Sequence, residues 1–400
     1  MSDSRPRPAP ARAARDGGAQ DGPDALVALL AANAADVDRA ARFPVENLAA
    51  LRGAGCLGLP VPRRHGGPGR GLADLVGTAQ RLAGGCLSTA MIWAMHCQQV
   101  DVLVRHAGPR LAADLLPRVA AGEVYLASVT TGKATGGHLF SAADALERGS
   151  GEELLLRREA PVVTGGEYAD GFLVTMREAA DAEEHAVSLV YADRAALTVE
   201  TTGGWNTLGM RGTASGALTL SGTVPTDQVV GPSGGFREVA LDSMAPVGHL
   251  LWSACWLGAA RSSFSALVRW LSREQRDRLS SPLVRERLGR TRLDLELVSG
   301  YLGGVLREVE RVRADGSRPD AADVQIHLNS LKVAASELTY QAVDRMVQLA
   351  GLTVGYGADS PVPLERTLRD LRSAALNHSN DRLWTANGAL CLVDRGVTLL

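Results

Sequence analysis

The chain has 400 residues with 42 basic and 44 acidic side chains, a formal charge of −2, which is long enough for two or three domains around a large core. This near-neutral balance supplies no electrostatic reason to expect nucleic acid or an anionic membrane as partner. No run of about 18 uncharged apolar residues is present to span a bilayer.

In chain order, residues 1–23 are rich in Pro, Arg, Ala and Gly and lack the apolar centre of a secretory signal. With little apolar surface to offset chain entropy, they are expected to form a disordered tail. Residues 24–122 read as a helical domain. "DALVALLAANAADVDRAARFPVENLAALRGAG" places apolar residues at three- and four-residue steps and is closed by Gly53 and Gly55. "GLADLVGTAQRLAGGC" and "STAMIWAMHCQQVDVLVRHAG" continue that pattern.

The texture changes at residues 123–235. "EVYLASVTT", "GEELLLRREAPVVTGG", "DGFLVTMR", "HAVSLVYADR", "ALTVETTGGW" and "GALTLSGTVPTDQVVG" are short alternating or β-branched runs between Gly and Asp breaks. They predict strands of a small β-barrel or sandwich. "TTGKATGGH" holds glycines but lacks the Gly-Lys-Ser/Thr ending of a P-loop, so no nucleotide triphosphate is expected there.

Over residues 236–400 long helices return. Leu257, Ala260, Phe264, Leu267 and Leu271 share one stripe, and Leu328, Leu331, Ala335, Leu338, Ala342, Met346 and Leu349 share another. A period near 3.5 residues over such lengths predicts a four-helix bundle. Gly355 and Gly357 suit turn geometry. The last helix begins near Ser379 or Asn380, either of which can cap it. Just before it, "RDLRSAALNHSNDRLW" (369–384) carries His378 in a polar break. The five cysteines (Cys56, Cys86, Cys97, Cys255, Cys391) are scattered in no metal-ligand spacing. They read as reduced thiols of a cytoplasmic protein, with no metal site.

The order helical, sheet, helical gives an α+β fold class that resembles the acyl-CoA dehydrogenase fold over about residues 25–398. Five stretches carry the resemblance: "ASVTTG" (127–132), "APVVTGGEYADGFLV" (160–174), "LGMRGTASG" (208–216), "QLAG" (348–351) and "PLERTLRD" (363–370). The resemblance implies a flavin, FAD or FMN, contacted by Ser128, Thr130, Thr164 and Arg211. Hydroxyl donors beside an apolar wall suit an isoalloxazine ring. It also implies a homotetramer, or a homodimer, in which Arg276, Gln348 and Gly351 reach the dinucleotide end of a flavin across a subunit interface. Leu279-Ser280 replaces the Phe-Gly found beside the matching arginine, which leaves FAD and FMN both open. Arg211 alternatively pairs with an acid, and Arg369 and Asp370 are expected to pair and fix the loop that follows. Trp205, Asn377 and Asn380 are candidates for the substrate pocket, and Trp93, Met95, Trp252 and Trp256 for its wall or for the core.

The sequence departs from that family at the reacting centre. His378 stands where most members place a glutamate that removes a proton. The alternative acid position reads Met244, with Asp242 two residues away. Val162 replaces a frequent tryptophan, and Ala245 a frequent substrate-loop arginine. A pocket histidine without a carboxylate is similar to the flavin-dependent monooxygenases of this fold. That likeness implies reduced flavin from a separate reductase, O₂, and oxygenation of a small-molecule or carrier-bound substrate in specialised metabolism. His96, in "AMHCQQ", is expected as a second catalytic imidazole beside His378. Two alternatives stay open: an atypical acyl-CoA or acyl-carrier-protein dehydrogenase, and a non-catalytic flavin-fold binding protein.

Overall fold

The computed structural model describes residues 22–132 and 139–399. Residues 1–21 of the expected tail and 133–138 of the glycine-containing stretch lie outside the described residues.

The N-terminal part contains α1 (Pro23–Ala40), α2 (Val45–Gly53), α3 (Leu72–Gly85), α4 (Leu87–His106) and α5 (Pro109–Ala120). The continuous helical pattern of residues 24–55 is therefore two helices. Ala41 takes a left-handed conformation (φ 49°) and Pro44 opens α2. Proline both lacks a donor N–H and disfavours helical backbone at the residue before it, here Phe43. Helix α4 is buried along nearly its whole length, including the polar side chains His96, Gln98, Gln99 and Asp101.

Among the described residues eight strands follow: β1 (Leu126–Val129), β2 (Glu147–Arg148), β3 (Glu153–Ala160), β4 (Gly171–Arg177), β5 (Val187–Asp193), β6 (Leu197–Gly203), β7 (Ala217–Pro225) and β8 (Val229–Val230). One sheet has the order β1-β4-β5-β8 and the other β2-β3-β7-β6. Strand β1 runs parallel to β4, and every other pair is antiparallel. Six consecutive residues are buried in each of β4 and β5, the mark of strands covered on both faces. β3 alternates exposed and buried positions instead. β1 is an edge strand, so one side of its backbone is free to meet other groups.

The C-terminal part begins with α6 (Phe236–Val239), which passes through a π-helical turn at Ala240–Met244 into α7 (Ala245–Glu274). Helices α8 (Pro282–Asp315), α9 (Ala322–Gly355), α10 (Leu364–Arg372) and α11 (Asn380–Leu390) complete it. The expected four-helix bundle has three long members, α7, α8 and α9; α10 and α11, which also pack on α9, follow them. The break between α10 and α11 holds His378. Gly351 kinks α9 at φ 81°, a backbone that glycine adopts without a Cβ clash. Both predicted apolar stripes face inward, with Phe264 and Leu338 only partly covered. Helix α7 packs on α3 and α4 as well as on α8 and α9, so one core runs through the helical parts. Among the described residues, no helix is long and apolar enough to cross a membrane.

Candidate active site

A cavity of about 420 Å³ lies where α4, β1, the start of α7 and the α10–α11 break meet. Met95 and Gln98 reach it from α4, residues 125–128, Thr130 and Thr131 from β1 and its flanks, and Val162 and Thr164 from the loop after β3. Met244, Ala245, His249 and Trp252 supply a third wall; Leu376, Asn377, His378, Ser379 and Arg382 supply a fourth. Among the described residues, no aspartate or glutamate lines it.

The π-helical turn explains part of that chemistry. It inserts an extra residue into the helix and redirects the side chains that follow. Met244 lines the cavity, and its carbonyl accepts a hydrogen bond from Gln98 Nε2 at 2.6 Å. Asp242 turns away, paired with Arg105 at 2.6 and 2.8 Å and with His106 at 2.9 Å. Its carboxyl is held below the usual carboxylate range by His106 and Arg105, against the opposing effect of burial. The acid nearest the family's alternative position is thus spent in an ion pair.

His378 lies on the cavity wall with φ 52°, in the left-handed region that a non-glycine residue rarely occupies. Lys332 Nζ holds this conformation by donating to the His378 carbonyl at 2.9 Å and to Asn380 Oδ1 at 2.7 Å. Burial, then the charges of Lys332 and Arg382, lower the His378 pKa to about 4. A second imidazole stands beside it: His249 Nε2 is 3.4 Å from His378 Nδ1, and His249 Nδ1 is 3.2 Å from the Leu328 carbonyl. Burial and the neighbouring His378 push the His249 pKa well below its ordinary value. Both rings are neutral at neutral pH.

The hydroxyl residues proposed for a flavin fall on one side of the cavity. Ser128, Thr130 and Thr164 line it, joined by Thr131. Thr164 Oγ1 lies 3.1 Å from Ser215 Oγ, and its carbonyl accepts from Tyr125 at 3.2 Å, so its position is fixed from two directions. Thr131 Oγ1 ties the β1 loop to the Val162 carbonyl at 2.9 Å. On the wall formed by α7 the indole N–H of Trp252 is buried with no partner among the described residues. An orphaned donor, several hydroxyls and apolar flanks form a donor set that fits a flavin ring or a flat polar substrate.

Other expected positions are corrected by the geometry. His96 does not line the cavity: Nδ1 accepts the Leu126 N–H at 3.0 Å and Nε2 donates to the Leu57 carbonyl at 3.0 Å. With both nitrogens committed to backbone and the ring fully buried, it ties α4 to the start of β1. Trp205 is half-buried outside the cavity, donating to the Met210 carbonyl at 2.9 Å. Asn380 is buried behind the wall, bonded to Lys332, Ser336 and Glu337. Arg211 does not reach the cavity: it donates to the Asp38 and Thr207 carbonyls at 2.8 and 3.1 Å and lies 4.0 Å from the Asp38 carboxylate, the acid pairing that was its alternative. Arg276 and Gln348 are exposed elsewhere on this chain, Gln348 donating to Asp344 at 2.7 Å. The turn carrying Arg276 does approach Gly351, since Arg278 donates to the Leu349 carbonyl at 2.7 Å. Trp93 and Trp256 are core, whereas Met95 and Trp252 face the cavity.

Arg369 and Asp370 do not pair with each other. Arg369 binds Asp38, Glu365 and the Leu208 carbonyl, while buried Asp370 accepts the Met210 N–H. Gly209 lets the 208–216 loop touch α10, because a Cβ there would fall 2.0 Å from the Arg369 carbonyl. Together these contacts clamp α1, the 208–216 loop and α10 ahead of His378. Sequence reasoning missed His249, Gln98, Thr131, Arg382 and Lys332. Ala245, His249 and Trp252 do share a helix face at four- and three-residue steps, but one histidine in an apolar helix looks like core.

A helical–sheet–helical chain with its cavity at the domain junction is an oxidoreductase fold of the acyl-CoA dehydrogenase type. The sequence profiles of the acyl-CoA dehydrogenase N-terminal and C-terminal domains match residues 25–123 and 250–381, and the chain belongs to the acyl-CoA dehydrogenase family of flavin oxidoreductases. It is similar to the putative acyl-CoA dehydrogenase YdbM of Bacillus subtilis, 27% identical over 87% of this chain and 89% of that protein. FMN-bound TdsC from Paenibacillus sp. A11-2 superposes with a TM-score of 0.82 at 18% identity, covering 94% of this chain and 97% of TdsC. Butyryl-CoA dehydrogenase from Megasphaera elsdenii superposes with a TM-score of 0.79 at 17% identity, covering 94% of this chain and all of that one. At these identities the two structures speak for the fold.

Proposed function

We propose that the protein is a flavin-dependent monooxygenase that takes reduced flavin from a separate reductase and uses O₂ to oxygenate a small-molecule or carrier-bound substrate. One observation carries this reading: among the described residues the cavity wall has no carboxylate and presents instead the imidazole of His378, which burial keeps neutral. A bound flavin would supply two-electron redox chemistry and the activation of O₂. Ser128, Thr130, Thr131 and Thr164 would hold its polar edge. Exposed Arg276, whose turn bonds through Arg278 to the Leu349 carbonyl two residues before Gly351, would meet with Gly351 the dinucleotide end of a neighbouring subunit's FAD in a homodimer or homotetramer.

The strength of the base separates oxygenation from desaturation. Removing an α-proton from a thioester needs a group that can hold that proton. An imidazole whose pKa is about 4 is worse at this than an unperturbed one by about 3 kcal/mol. It remains a good hydrogen-bond acceptor, suited to orienting a substrate O–H or N–H. Being uncharged, it also places no repulsive anion beside an electron-rich reduced flavin. Met95, Met244 and Trp252 give the same space apolar walls.

Similarity to YdbM, a putative acyl-CoA dehydrogenase, favours the second reading, an atypical acyl-CoA dehydrogenase. Two assays decide between them. Mixing oxidised, flavin-loaded protein anaerobically with butyryl-CoA should leave the flavin absorbance unchanged; bleaching would establish dehydrogenation and end the oxygenase reading. Reduced FMN, O₂ and indole, the ligand of a TdsC complex, should give a product carrying one oxygen atom from labelled O₂.

A further inference from the structure

Resting on the reading of His378 as the cavity's hydrogen-bond acceptor, we propose that His249 is a positioning residue that locks His378 in the tautomer whose Nε2 lone pair faces the cavity. The argument starts from the group that cannot change. The Leu328 carbonyl has only lone pairs, so the nitrogen facing it at 3.2 Å, His249 Nδ1, carries the hydrogen. In a neutral ring that leaves His249 Nε2 with its lone pair. The atom opposite, His378 Nδ1 at 3.4 Å, must then be the donor. His378 Nε2 is therefore the unprotonated nitrogen. The contact is long for an N–H···N bond and has room to tighten once a substrate fills the cavity.

Helix α9 supplies both restraints within one turn. Leu328 fixes the His249 ring, and Lys332, four residues on, holds the His378 carbonyl through Nζ. The second restraint keeps the backbone at φ 52°, which aims Nδ1 at His249 rather than at solvent. Lys332 and Arg382 are the charges that act on His378, and both oppose its protonation. His249 is buried, and its ring lies 6.0 Å from that of Trp252, tilted by 52°, so it has little freedom to rotate. His249 thus does for His378 what an orienting carboxylate does for a catalytic histidine elsewhere, while adding no charge to the cavity.

The test reads the ring itself and needs no substrate. Selective ¹⁵N-histidine labelling, with His378→Gln used to assign the signals, should show His378 with a protonated, pyrrole-type Nδ1 and a pyridine-type Nε2. His249→Phe removes the acceptor and should abolish that single-tautomer signature; His249→Gln, which keeps an acceptor oxygen, should restore most of it. A wild-type His378 protonated at Nε2 would overturn the proposal even if neither variant folded. So would a His249→Phe spectrum identical to wild type. Should the tautomer be as stated while His378→Gln retains full oxygenation, the positioning role stands and the functional reading of His378 fails instead.

Discussion

His378 and His96 are the same residue type, yet their partners divide them. His96 spends both nitrogens on backbone, whereas His378 keeps one toward a cavity. Burial holds both near a pKa of 4, and His249 is lowered as well. A folded-state pKa below the unfolded value of about 6.5 means that the unfolded chain binds more protons between those limits. Stability from keeping these rings neutral is therefore complete above about pH 6.5 and is lost as pH falls toward 4. Urea denaturation at pH 7.5, 6 and 5 should show that decline, and a flat profile would contradict the burial of neutral rings. Activity should hold from pH 7.5 to about 5, with its acidic limb near 4 and not near 6.5. His378→Ala should lower oxygenation by roughly 10²-fold or more while leaving the circular dichroism spectrum intact.

At the scale of elements, the α10–α11 break depends on α9. Lys332 is fully buried, satisfies the His378 carbonyl and Asn380, and has its pKa lowered by burial to about 7. Here the unfolded chain binds the extra proton between about pH 7 and 10.5, so stability rises with pH across that window. Lys332→Met should remove that rise, a difference on the order of 2–4 kcal/mol between pH 7 and 10, read by denaturation of both proteins. It should also weaken oxygenation, because the left-handed His378 backbone loses its tether. The element pattern itself was largely legible. Alternation marked β3 and apolar runs marked β4 and β5, while the stripes of α7 and α9 followed from a 3.5-residue period. What escaped were features with no period to read: the two-residue strand β2, the proline break between α1 and α2, and the π-helical turn that turns Asp242 away.

For the molecule as a whole, the three-part order places one cavity at the junction of the helical and sheet regions and leaves Arg276 exposed far from it in the chain's own fold. An arginine that serves a neighbouring subunit's dinucleotide should matter for FAD more than for FMN. Arg276→Ala should weaken FAD binding about tenfold, near 1.4 kcal/mol, and alter FMN binding little, in flavin fluorescence titrations. Light scattering should show the dimer or tetramer that such a site requires. Equal losses for both flavins, or a monomer that binds FAD fully, would remove Arg276 from the site.

Alone, the sequence determined the element types and the family, because hydrophobic period and short motifs act through neighbours a few residues apart. Through its resemblance to that family it also raised the expectation that His378 stands where an acid is usual. Only the tertiary structure decided that His96 is a backbone tie, that Asn380 and Arg211 are structural, and that His249, 129 residues before His378, is its partner. Those assignments depend on which atoms meet after α4, α7, α9 and the α10–α11 break pack together. The hydrogen-bond partner of a side chain is set by that packing, and local sequence carries no record of it.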